Sequence, residues 1–137
     1  MTTRITILLG SILLLMATMA SAQKVQFTVP FSFVAGSTNL PAGDYTIELN
    51  RRKGAMILSS EDRSGKSVMM LANNSDWTRN PDKTYAIFQR YGTHYFLAAV
   101  WKQGVGQTLN PGKLERELAS KHSNVEVARV EARDSPR

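Results

Sequence analysis

Apolar residues in this chain recur at every second position and rarely gather into long runs. Val25, Phe27 and Val29 alternate with Lys24, Gln26 and Thr28, and Tyr45, Ile47 and Leu49 alternate with Asp44, Thr46 and Glu48. A period of two sends the two sets to opposite faces of an extended strand, so each such segment buries one face and wets the other. Turn-forming residues separate these segments at spacings of about ten, the pattern of an antiparallel all-β domain. The expected fold is an all-β sandwich or flattened barrel of about seven or eight strands with one short helix.

The strands differ in what they imply. Pro30 has no N–H to give to a ladder, so Lys24 to Val29 reads as an edge strand or a strand with a break. Phe31, Phe33 and Ala35 then resume an inward face, with turns at 36–39 and 41–43. Residues 50–54 form a basic hairpin loop around Arg51-Arg52-Lys53, and 66–72 form a short apolar strand containing Met69 and Met70. The hairpin of 84–90 and 94–102 around Tyr91-Gly92-Thr93 is apolar on both faces, as strands covered on both sides are. Residues 73–83 and 103–112, rich in Asn, Asp, Pro and Gly, read as irregular connections.

Residues 113–121 break the β pattern. Leu114 and Leu118 stand at i and i+4, which predicts a short amphipathic helix packing both leucines inward, with Glu115 and Glu117 as solvated charge. Val125, Val127 and Val130 read as a last strand, followed by a polar, frayed tail over 131–137.

The N-terminal stretch has a different character. Arg4 precedes an apolar run from Ile5 to Leu15, and Ala20-Ser21-Ala22 is a small-x-small cleavage signal, so residues 1–22 read as a secretory signal peptide. The apolar run is shorter than the roughly 20 residues a membrane-spanning helix needs. Cleavage after Ala22 leaves one β domain over 23–130, released to the periplasm or beyond. With no cysteine, that domain is held by packing alone, and zinc-thiolate, iron–sulfur and thiol chemistry are excluded. The 17 Lys and Arg against 11 Asp and Glu give a net charge of +6. These charges are dispersed, which fits a solubilising surface better than a nucleic-acid face, and no aromatic-plus-basic stacking motif accompanies them.

Leu40-Pro41-Ala42-Gly43-Asp44-Tyr45 suggests a tyrosine corner, in which the phenol of a strand-opening tyrosine bonds back to the chain a few residues upstream. Together with Val29-Pro30-Phe31-x-Phe33, Arg90-Tyr91-Gly92-x-x-Tyr95-Phe96-Leu97 and Glu115-Arg116-Glu117-Leu118, it resembles a group of small exported proteins of soil bacteria. The resemblance runs along nearly the whole chain after residue 22. It implies export and a compact β domain, and no particular chemistry.

No catalytic constellation emerges. There is no Gly-x-Ser-x-Gly. Ser21-x-x-Lys24 would be cut by signal cleavage, and the two histidines, His94 and His122, lack metal-ligand spacing. The carboxylates do not pair in the way glycoside hydrolysis requires, and Gly104-x-Gly106 lacks the context of a phosphate loop. No catalytic, cofactor-binding or metal residue is assigned. The expected role is a non-enzymatic envelope or extracellular binding or structural module, with an envelope protein or a glycan as candidate partner and Trp77, Tyr91, His94, Arg51 and Arg52 as the candidate surface. A carrier of a small apolar ligand, with methionines and aromatics lining a barrel interior, is the alternative. A small hydrolase centred on His94 is a more distant one.

Overall fold

A computed structural model describes residues 23–76 and 82–133; the signal-like segment and Trp77 lie outside them. In chain order the elements are β1 (Gln23–Val29), β2 (Phe33–Ala35), β3 (Thr38–Leu40), β4 (Gly43–Asn50), β5 (Ala55–Ser60) and β6 (Ser67–Leu71). β7 (Asn73–Ser75), β8 (Thr84–Tyr91), β9 (His94–Lys102), β10 (Val105–Thr108), α1 (Lys113–Lys121) and β11 (Glu126–Glu131) follow. They form an all-β sandwich of two sheets with one short helix. The first sheet has the order β1-β4-β5-β6 and the second β11-β8-β9-β10-β7, with β2 attached to β9 and β3 to β2. One of the sheets curls into a half-barrel.

The alternation read from the sequence sets the registers. Val25 lies opposite Ile47 and Phe27 opposite Tyr45, and the same face continues through Leu58 of β5. These side chains meet Phe88, Leu97 and Val100 from the second sheet in one continuous core. Phe27, Met56 and Val100 have no exposed surface at all, each burial contributing about 1.5–3 kcal/mol. The inward side chains of the two sheets thus pack against one another in a single core. Tyr45 completes the expected corner: its hydroxyl donates to the Pro41 carbonyl, and its ring meets Phe33 edge-on at 5.2 Å.

Four expectations are corrected. Residues 73–75 and 105–108, read as irregular, pair with each other as β7 and β10. Gln103 and Gly104, both at positive φ, make the two-residue turn that sends β10 back along β9. Gly106 marks a close approach, not a flexible link, because a β-carbon there would stand 2.6 Å from the Val100 carbonyl and from the Trp101 ring. Third, 38–39 belong to β3, not to the preceding turn. Finally, β11 turns Ala128 and Val130 inward and leaves Val127 exposed, the opposite parity for Val125 and Val127.

The C-terminal side is also tied down further than a frayed tail from residue 131. Ala132 N donates to the Thr84 carbonyl at 3.0 Å, and Arg133 N to the Gln26 carbonyl at 2.9 Å, which bridges β11's end to β1. The Arg133 guanidinium grips Glu61 through Oε1 at 2.6 Å and Oε2 at 2.7 Å. This seam joins the margins of the two sheets on one side of the sandwich.

Candidate functional site: a groove between an open strand edge and the helix

The side opposite the seam is built differently. Among the described residues β6 pairs with β5 alone, with Met69 opposite Ile57 and Leu71 opposite Ala55. In an antiparallel edge strand, alternate residues turn N–H and C=O away from the partner strand. β6 carries no charged residue, and two of its apolar side chains stand in solvent, Met69 at 72% and Leu71 at 85% exposure. Val68 and Met70 turn the other way, and Met70 is buried.

Beyond this edge lies a groove. One part, about 380 Å³, runs from Val68–Leu71 across Val34, Phe96 and Leu97 to Leu109. An adjoining part, about 480 Å³, shares Val34 and Phe96 and is walled by the first turn of α1. Glu115 lines both parts. The groove is thus an apolar trough with an open backbone edge on one side and a helix on the other.

The helix occupies the expected residues but is rotated from the expected face. Leu114 is 45% exposed and Glu115 only 6%, while Leu118 packs on Val34, Tyr91 and Phe96. The inward stripe is Glu115, Leu118 and His122, spaced i, i+3 and i+7, in place of Leu114 and Leu118. Burial pushes the Glu115 carboxyl above its ordinary value, partly opposed by the Tyr91 hydroxyl beside it. That hydroxyl is itself pushed up, first by burial and then by Glu115. It also donates to Gln89 Oε1 at 3.0 Å, so its one proton faces two acceptors.

The residues singled out in the sequence do not assemble into one surface. Tyr91, expected near the surface of a turn, is buried beneath α1. Arg51 is a structural bracket: Nη1 donates to the Gly106 carbonyl at 2.9 Å and to the Ser75 carbonyl at 3.3 Å, and Nη2 pairs with Asp76. Together with Gln107, whose Nε2 reaches Asn74 Oδ1 at 3.0 Å and the Asn50 carbonyl at 3.3 Å, it ties the β4–β5 turn to the second sheet. Arg52 is exposed beside it. His94 is exposed at the start of β9, by a shallow depression of about 110 Å³.

Aromatic rings serve packing: Tyr95 stacks on Phe31 at 3.9 Å, and Arg129 lies 3.9 Å over Tyr85. Among the described residues, no three His, Asp or Glu side chains converge as a metal site, and no helix is long and apolar enough to cross a membrane.

Sequence reasoning missed the groove and Glu115. The exposed half of β6 was hidden inside an apolar run, Val68-Met69-Met70-Leu71, that names no outward face. Comparison of the chain with protein-family models, with curated proteins and with solved structures yields no match.

Proposed function

We propose that the protein is an exported, non-enzymatic binding module that receives an extended segment of an envelope or extracellular protein along the free edge of β6. Export rests on the signal-like residues 1–22. The observation that carries the binding site is the pair Met69 and Leu71, exposed on an uncharged edge strand beside an apolar groove. A strand added there gains main-chain hydrogen bonds from β6 and side-chain contacts from the groove floor. Covering the two exposed side chains adds apolar burial at about 25 cal/mol per Å².

A peptide array of alternating apolar and polar pentapeptides tests this reading. Wild-type protein should be retained by a subset of the array. A Met69→Lys/Leu71→Lys double variant should lose that retention, while Gln26→Lys in β1 should keep it. Retention indifferent to the β6 substitutions, or no retention at all, would remove the reading.

A small apolar ligand in the same groove is a second reading, favoured by the volume of about 480 Å³ beside Phe96 and Val34. It predicts binding of a hydrophobic dye that survives the β6 charge substitutions.

A further inference from the structure

Glu115 is the anomaly of the groove. A carboxyl group taken out of water costs stability unless charge or hydrogen bonds compensate it. Here compensation is thin. None of the ion pairs formed among the described residues involves Glu115, although the chain carries 17 Lys and Arg. The hydrogen-bonding neighbour that it has among the described residues, the Tyr91 hydroxyl, also donates to Gln89. Two other charged residues, Lys113 and Glu117, line the same part of the groove; both are exposed and they are of opposite sign. Among the described residues, Glu115 is therefore the one buried acid of the groove, set beside Val34, Phe96 and Leu109 and outside every ion pair.

Resting on the strand-edge reading above, we infer that the segment received along β6 carries a lysine on its inward face, whose ammonium meets the Glu115 carboxylate. The chemistry of the groove matches that side chain. The apolar stem of lysine suits Val34, Phe96 and Leu109, and its charged head suits the one buried acid. An ammonium in this enclosure meets the carboxylate where water competes little, so the bond is stronger than a rim pair. A segment with an acidic residue at the same position would face like charge and be rejected.

The test uses three capped pentapeptides, with valine at the ends, threonine at the second and fourth positions, and lysine, norleucine or glutamate at the centre. Each is titrated calorimetrically into the full protein and into Glu115→Gln, with hexylammonium as a fourth probe. The lysine peptide should bind wild type about tenfold more tightly than the norleucine peptide, as one charge-assisted hydrogen bond allows. That preference should vanish in Glu115→Gln, with the norleucine peptide unaffected.

Lysine and norleucine peptides binding wild type equally would overturn the cation inference while leaving the strand-edge reading in place. No peptide binding at all would remove the strand-edge reading and this inference with it. Hexylammonium binding where no peptide does would assign the groove to a small amine and overturn the peptide occupant. Thermal unfolding of Glu115→Gln near that of wild type shows that a lost preference is not a lost fold.

Discussion

β1 and β6 are the two margins of one four-stranded sheet, and they are finished in opposite ways. At β1, Pro30 ends the ladder, Arg133 N bonds the Gln26 carbonyl, and the Arg133 guanidinium reaches Glu61 and, at 3.9 Å, Asp44. The facing strand of the other sheet, β11, places Glu126, Arg129 and Glu131 along its length. These are the devices that keep a strand edge from pairing with strangers: proline, charge and cover. At β6 none of them appears among the described residues. A five-residue edge without charge carries Met69 and Leu71 into solvent. One margin is bridged and charged and the opposite one is apolar and unpaired among the described residues, and the proposed interaction surface rests on that difference.

Substitutions can break or sharpen this contrast. Phe27→Ala, in β1 and fully buried, should destabilise the protein by about 3–5 kcal/mol. Denaturant unfolding measures this, and a loss below about 1 kcal/mol would mean that β1 contributes little to the core. Arg133→Met should cost about 1 kcal/mol, because its partners are partly solvated. The loss should shrink in high salt and be accompanied by faster amide exchange at the β1–β11 seam.

On the groove side the effects should be smaller and differ in kind. Glu115 holds its proton more tightly when folded than when unfolded. Its contribution to stability is then greatest below the ordinary glutamate value of 4.5 and declines as pH rises from there to its raised folded value. The difference in stability between Glu115→Gln and wild type should therefore grow in favour of the variant across that window, and a flat difference would contradict the burial of the carboxyl. Leu71→Lys should change the stability of the free protein by less than about 0.5 kcal/mol. A large loss would mean that Leu71 already packs against something within the chain.

The same contrast explains what could be read in advance. Core strands such as β1 and β4 were legible because each alternates strictly and one face is forced inward; their buried sets match residue for residue. The helix was legible in extent, since every residue of 113–121 tolerates a helix and Leu114 and Leu118 stand at i and i+4. Its facing was not, because two leucines at i and i+4 fit either rotation until the sheet beneath is in place. β7 and β10 escaped notice because their composition, Asn-Asn-Ser and Val-Gly-Gln-Thr, is that of loops. Their strand character comes from the partners that the topology supplies: β9 for β10, then β10 for β7. Context decides weak strands, whereas pattern decides strong ones. The groove belongs to the first kind, being made where three separately folded pieces, β6, β9 and α1, come to lie side by side.

Residue-level amide hydrogen exchange on the purified protein, with and without a saturating alternating peptide, tests the central claim most directly. The open-edge account predicts new protection within Ser67–Leu71 and none within Gln23–Val29. Protection arising along Gln23–Val29 or Glu126–Glu131 in its place, or nowhere, would contradict it.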